Sequence, residues 1–205
     1  MFHTFGDSHC FNGWKFSNKI KTNHIGPLLC YSFANENLNR INISESKYNV
    51  KNNDFVCFCL GEIDCRCHIH KHISSEKSYQ NIIDEIIKKY FDAVYINQKL
   101  FKNINICVYS VPPPIQKFNT REAPGHPFLG TDEERKSYVL YFNDQLKLFC
   151  QKYNYIFIDV YEYYIDKNGF LDKNLSDGNV HIRNPSGIKK VLKDKIKEIP
   201  DFQNF

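Results

Sequence analysis

The chain has 205 residues, 42% hydrophobic and 24% charged, with a formal net charge of +4. That length suits one well-filled core and is short for two, so a single domain over residues 1–205 is expected, without long disordered tracts. The charge is scattered over many lysines, which excludes a nucleic-acid arm or a polybasic membrane patch.

No run approaches the roughly 18 apolar residues of a membrane span. The start, Met1-Phe-His-Thr-Phe-Gly-Asp7, lacks the basic and long apolar regions of a signal peptide. A soluble, cytoplasmic protein is therefore expected, with no membrane insertion and no nucleic-acid partner. Several of the eight cysteines sit inside strand-like runs (Cys57, Cys59, Cys107), where a free thiol behaves as a small buried hydrophobe.

Residues 1–5 read as a first strand and 6–13 as the turn and helix entry behind it. Residues 14–53 show no clear period, apart from a Gly26-Pro27 turn and an apolar run over 28–33. The run 54–60 is apolar throughout and stops at Gly61, as expected of a strand covered on both faces. A polar loop, 62–72, follows. Residues 75–100 carry Ile82, Ile83, Ile86, Ile87, Tyr90, Phe91 and Val94 at helical spacing, with serine available as N-cap.

The next buried strand, 104–111, ends at Pro112-Pro113-Pro114, and a long loop runs to Gly130. Thr131-Asp-Glu-Glu134 reads as a capping box for an amphipathic helix to about residue 152. A strand over 155–160, a loop and a closing helix over 186–199 complete the chain. This alternation predicts an α/β protein of three α/β/α layers, with a flavodoxin-like parallel sheet of about five strands and right-handed crossovers.

Sites in such sheets lie beyond the carboxyl ends of strands. Ser8, in Gly6-Asp7-Ser8 behind the first strand, is the nucleophile candidate; a helix N-cap is the plainer alternative. His181, with Asp177 four residues earlier, is the candidate base and orienter, against a solvated loop histidine.

Gly6-Asp7-Ser8, Gly61-x-x-Asp64 and Asp177 with His181, in that order, resemble the sequence blocks of the SGNH/GDSL hydrolase superfamily. The stretch from Phe157 through Asn168-Gly169 to Asp177-Gly-Asn-Val-His181 and Asn184 to Gly187 resembles that family's C-terminal block. The resemblance implies the flavodoxin-like fold and hydrolysis or transfer of an acyl ester. It also implies a Ser8–His181–Asp177 triad and an oxyanion held by the serine amide, a glycine amide and an asparagine side chain. Gly26 is the candidate for that glycine.

Two departures stand out. Where the family has Gly-x-Asn-Asp, this chain has Gly61-Glu62-Ile63-Asp64, so the asparagine donor is missing. Losing one such donor costs about 2.7–4 kcal/mol of transition-state stabilisation. Arg66 is the candidate replacement, with Glu62 or Asp64 fixing its guanidinium as a bidentate partner. Gly-Glu-x-Asp-x-Arg resembles a branch of SGNH-like proteins associated with bacterial and viral glycan genes. The second departure is spacing: the family's Asp-x-x-His is here Asp177-x-x-x-His181, with Asp172 as fallback orienter.

His9 and His68 are candidate pocket residues. Cys57, Cys59, Cys65, Cys67, His68, His70 and His72 alternate in a way that differs from zinc-knuckle spacing, so no metal and no cofactor is expected. Together these readings predict a serine esterase or acyltransferase acting on a small acyl ester, foremost O-acetyl on a carbohydrate. A non-catalytic glycan-binding domain and a metal-dependent hydrolase built on the Cys/His cluster are the alternatives.

Overall fold

The computed structural model describes residues 1–122 and 125–204. Ala123 and Pro124 of the long loop, and Phe205, lie outside the described residues. Its centre is β1 (Phe2–Gly6), buried along its whole length. β2 (Ile20–His24) pairs with one edge of β1 and β3 (Phe55–Cys59) with the other, followed by β4 (Asn105–Tyr109) and β5 (Ile156–Ile158). Every pair is parallel and the order is β2-β1-β3-β4-β5, so the winding reverses between β1 and β3.

Successive strand residues face opposite sides of the sheet, and β3 shows why an unbroken apolar run is needed there. Val56 and Phe58 join one core, which receives Phe33 of α1 (Cys30–Glu36), Ile83 and Ile87 of α2 (Tyr79–Gln98), and Phe142 and Leu146 of α3 (Asp132–Tyr153). Phe55, Cys57 and Cys59 join the other, with Trp14, Phe202 and Ile188, Val191 and Leu192 of α4 (Ser186–Lys195). All eight cysteines are free and buried. No helix of the described residues is long and apolar enough to cross a membrane.

Capping sets the long helices as the local sequence predicts. Ser78 and Asn81 form a reciprocal capping box for α2, and Thr131 and Glu134 form another for α3. The irregular region 14–53 hides two elements, β2 and α1. The strand escapes pattern reading because, at the sheet edge, only Asn23 of its Ile-Lys-Thr-Asn-His sequence is buried. Beyond β4, the Asn143 side chain of α3 accepts from the Val111 amide at 2.7 Å and donates to its carbonyl at 2.9 Å, so the chain leaves β4 in a fixed direction.

Gly6 closes β1 with φ +153°, and a Cβ there would lie 1.9 Å from the Cys59 carbonyl oxygen of β3. Strand ends this close leave room for glycine alone. Gly6→Ala is expected to lower the unfolding free energy by about 3 kcal/mol or more, measured by urea denaturation. A loss below about 1 kcal/mol would show that the strand ends yield instead.

Candidate active site

Immediately after Gly6 the chain turns into one 3₁₀ turn, Ser8–Cys10, at the carboxyl edge of the sheet. Asp7 caps it, its Oδ1 accepting from the His9 amide at 2.9 Å. The turn lifts Ser8 to the surface of a cavity of about 250 Å³ bounded by Pro27, Ile63, Arg66, Phe128, Val180 and His181.

Ser8 Oγ lies 2.8 Å from His181 Nε2, and His181 Nδ1 lies 2.7 Å from Asp177 Oδ2. The fallback orienter Asp172 is elsewhere, its carboxylate accepting from the Asn174 amide. The extra residue between Asp177 and His181 is absorbed by a tight reversal. A Ser176–Ile182 bridge closes its base, Gly178 takes φ +85°, and the Asp177 amide donates to the His181 carbonyl at 3.0 Å. The Asn179 and His181 amides donate back to Asp177 Oδ1 at 2.9 and 3.4 Å.

These bonds decide the protonation states. Burial opposes the charge on Asp177, but the imidazole and the two amides outweigh it and hold the carboxyl below its ordinary value. Burial, and next the neighbouring His9, lower the pKa of His181 against the pull of Asp177. The imidazole beside Ser8 is therefore neutral near pH 7, the form that accepts a proton.

Beneath the pair lies a chain of buried charges. Arg66 grips Glu62 with two bonds, Nε to Oε1 at 2.7 Å and Nη2 to Oε2 at 3.0 Å, and its Nη1 donates to the His126 carbonyl at 2.8 Å. Burial would raise the pKa of Glu62, yet Arg66 and His9 together bring it down to about 2. The other side of Glu62 faces His9 Nε2 at 3.5 Å, and the His9 ring lies 5.1 Å from that of His181. Burial disfavours a charged His9, but Glu62 and Asp7 prevail and its pKa is raised. Asp7 is itself fully buried, with Oδ2 unpartnered, and desolvation pushes its pKa up to about 6.

The remaining expected site residues separate into two groups. Arg66 lines the cavity, and Glu62, not Asp64, fixes its guanidinium. Asp64 is turned away from the cavity: its carboxylate accepts from the Cys30 amide at 2.6 Å and the Tyr31 amide at 3.0 Å, capping α1. Buried there, its pKa rises to about 7. Ile63 occupies the cavity wall where the asparagine was missing.

Gly26 sits just past β2, between His24 and Pro27, which line the cavity. Among the described residues, neither its amide nor that of Ser8 has a hydrogen-bond partner. His9 lies below the cavity wall, buried, and His68 lies outside the site altogether. The His68 ring packs on Tyr31 at 4.6 Å and His72 at 4.4 Å, beside a separate cavity between α1 and α2. The alternating cysteines and histidines disperse in the same way, Cys57 and Cys59 into the core under α4 and His70 onto Tyr138 of α3.

Arg121, His126, Phe128 and Asn179 line the cavity without having been singled out in the sequence. Three of them come from the long loop after Pro114, and its unusual length was the one signal available.

No protein-family model and no curated protein matches the sequence. Solved structures do match it in shape. A GDSL-like lipase from Bacteroides thetaiotaomicron superposes with a TM-score of 0.60 at 12% identity, over 99% of this chain and 87% of that one. The chain has the SGNH/GDSL hydrolase fold. The same fold is shared with an acetylxylan esterase from Geobacillus stearothermophilus (TM-score 0.57, 12% identity, 96% of this chain and 93% of that one). It is also shared with a phospholipase A1 from Streptomyces albidoflavus (TM-score 0.53, 12% identity, 95% and 98%).

Within this SGNH fold the Glu62–Arg66 pair is a buried unit, and removing one partner strands the other charge. Glu62→Ala and Arg66→Ala are each expected to cost about 3–5 kcal/mol of stability. The double variant should cost less than their sum by more than about 1 kcal/mol. Additive losses in urea denaturation would show that the two side chains act separately.

Proposed function

We propose that the protein is a serine esterase or acyltransferase acting on a small acyl ester, with Ser8 as nucleophile, His181 as general base and then acid, and Asp177 as its orienter. The observation that carries this reading is the unbroken chain from Asp177 through His181 to Ser8, at 2.7 and 2.8 Å, opening onto a cavity. The ester-cleaving names of proteins sharing the fold support it: a lipase, an acetylxylan esterase and a phospholipase A1.

In the first half-reaction Ser8 Oγ attacks the acyl carbon while its proton passes to His181 Nε2. Asp177 holds the Nδ1 proton and balances the imidazolium that forms. Collapse of the tetrahedral species expels the alcohol, which takes the proton back from His181, and leaves the acyl group on Ser8. Water, or an acceptor hydroxyl, then repeats the sequence in reverse.

The free amides of Ser8 and Gly26 are donors suited to the oxyanion. The missing asparagine is replaced by Arg66, whose guanidinium is held at the cavity wall by Glu62 and the His126 carbonyl. The apolar walls formed by Pro27, Ile63, Phe128 and Val180 suit a short acyl chain such as acetyl, and a carbohydrate is the acceptor class we favour.

Purified protein is expected to react with a fluorophosphonate probe and to hydrolyse p-nitrophenyl acetate with or without chelator. Ser8→Ala should abolish labelling and lower turnover about 1,000-fold or more. Equal behaviour of wild type and Ser8→Ala would overturn the assignment, and loss of turnover in chelator would favour a metal-dependent hydrolase.

The pH profile carries a further expectation. Activity requires neutral His181, whose pKa is lowered, so kcat/KM should rise with pH through a midpoint below the usual imidazole value of about 6.5 and then level off. Because the His9 charge depresses His181, His9→Gln should move that midpoint upward. A wild-type midpoint above about 6.5 would contradict the site's electrostatics.

A further inference from the structure

A wider groove of about 630 Å³, walled by Phe118, Thr120 and Gly178, adjoins the serine cavity and shares Arg121 and Asn179 with it. Arg121 and Asn179 line both spaces and mark the passage we assign between them. The long loop and the Asp177–His181 reversal are tied together at this point, Thr120 Oγ1 donating to Asn179 Oδ1 at 2.7 Å. Arg121 is thus held beside the triad even though it sits on a surface loop.

The charges around the passage are unbalanced. Two arginines and three histidines line the serine cavity, and no carboxylate does so among the described residues. Arg66 is neutralised by Glu62. Glu122, adjacent to Arg121 in sequence, is committed elsewhere: its Oε1 accepts from the Phe128 amide at 2.6 Å and pairs with Lys117 at 3.2 Å. The carboxylate in the groove, Asp177, already accepts from the His181 ring and two amides. Among the described residues Arg121 has no carboxylate within ion-pair distance, and it is exposed to the groove. An uncompensated guanidinium at the neck of a cleft presents a planar fork suited to carboxylate or phosphate.

We infer that the ester taken by this site carries an anionic group, a carboxylate or a phosphate, on its alcohol portion, and that Arg121 binds that group. This rests on the serine-ester reading above and adds the substrate's charge to it. The apolar walls around Ser8 receive the acyl group, so the alcohol portion leaves through the passage and its anion meets Arg121. Phe118, 77% exposed at the edge of the groove, offers an apolar face to the rest of that portion.

The test compares three acetate esters of similar leaving group: those of 4-hydroxybenzoate, of 4-hydroxyphenyl phosphate and of the neutral 4-hydroxybenzamide. In wild type, KM for at least one charged ester should be roughly tenfold below that for the neutral one, and the advantage should shrink as salt is raised. Which charged ester gains more distinguishes carboxylate from phosphate. Taken as a charged-to-neutral ratio within each protein, the preference should fall to about one in Arg121→Gln and largely return in Arg121→Lys. A wild-type ratio near one, or a preference that persists in Arg121→Gln, would overturn the inference. If no ester is turned over, the serine-ester reading fails by itself. The anion site is then judged by NMR titration of wild type and Arg121→Gln with 4-hydroxybenzoate and 4-hydroxybenzamide. An Arg121-dependent preference for the benzoate supports it and equal binding overturns it.

Discussion

The bidentate bond between Arg66 and Glu62 is the interaction on which the rest of the site depends. Its two partners lie in the segment that follows β3, Glu62 just before and Arg66 within a π-helical turn over Asp64–His68, a widened geometry that recurs at functional sites. From there the pair reaches three neighbours. Arg66 Nη1 holds the His126 carbonyl, the Arg66 carbonyl accepts from the Leu129 amide, and the free side of Glu62 faces His9 in the Ser8 turn. The long loop, the end of β3 and the Ser8 turn are therefore registered against one another through a single salt bridge. A buried ion pair is a weak source of net stability, since desolvation offsets most of its Coulomb gain. Its value here is positional: a buried guanidinium with both ends fixed has almost no freedom to turn away from the cavity.

The charges below Ser8 alternate: Asp7, His9, Glu62, Arg66. Burial pushes the pKa of Asp7 up to about 6 against the pull of His9, whereas at Glu62 burial is overcome by Arg66 and His9, which bring its pKa down to about 2. Asp7 and Asp64 are the two carboxyls that burial pushes upward, and both end up as caps, one for the Ser8 turn and one for α1. On the serine-hydrolase reading, this arrangement sets His9, whose pKa is raised against burial by Glu62 and Asp7, beside His181, whose pKa is lowered by burial and by His9. It keeps the base neutral without weakening the bond that orients it.

Most of the architecture was legible because it is written in local terms. The apolar runs of β3 and β4, the serine cap of α2 and the capping box of α3 each depend on residues within one or two turns of one another. That Ser8, His181 and Asp177 meet at the carboxyl edge of the sheet was legible for another reason, block order, which holds even though the spacing between Asp177 and His181 differs. What escaped reading is non-local. α1 has no capping side chain of its own; its cap is Asp64, 34 residues downstream. For that reason both α1 and the true place of Asp64 were missed. β2 is an edge strand with one buried residue, and an alternating polar sequence of five residues carries little signal. His68 looked close to Arg66 in sequence, but the turn sends the two side chains to opposite sides of the wall.

The Ser8–His181 hydrogen bond joins positions 173 residues apart, one on the turn behind the first strand and the other on the reversal before the last helix. β1 lies at the centre of the sheet, and Val180 and Ile182 of the reversal share the core under α4 with Phe2 of β1. Closing a loop of that length is costly in chain entropy and is repaid only by long-range contacts formed late. On the serine-ester reading, the reactivity of Ser8 becomes a measure of global folding: a chain that has collapsed around α2 and α3 but has not docked α4 would have its secondary structure and no Ser8–His181 pair.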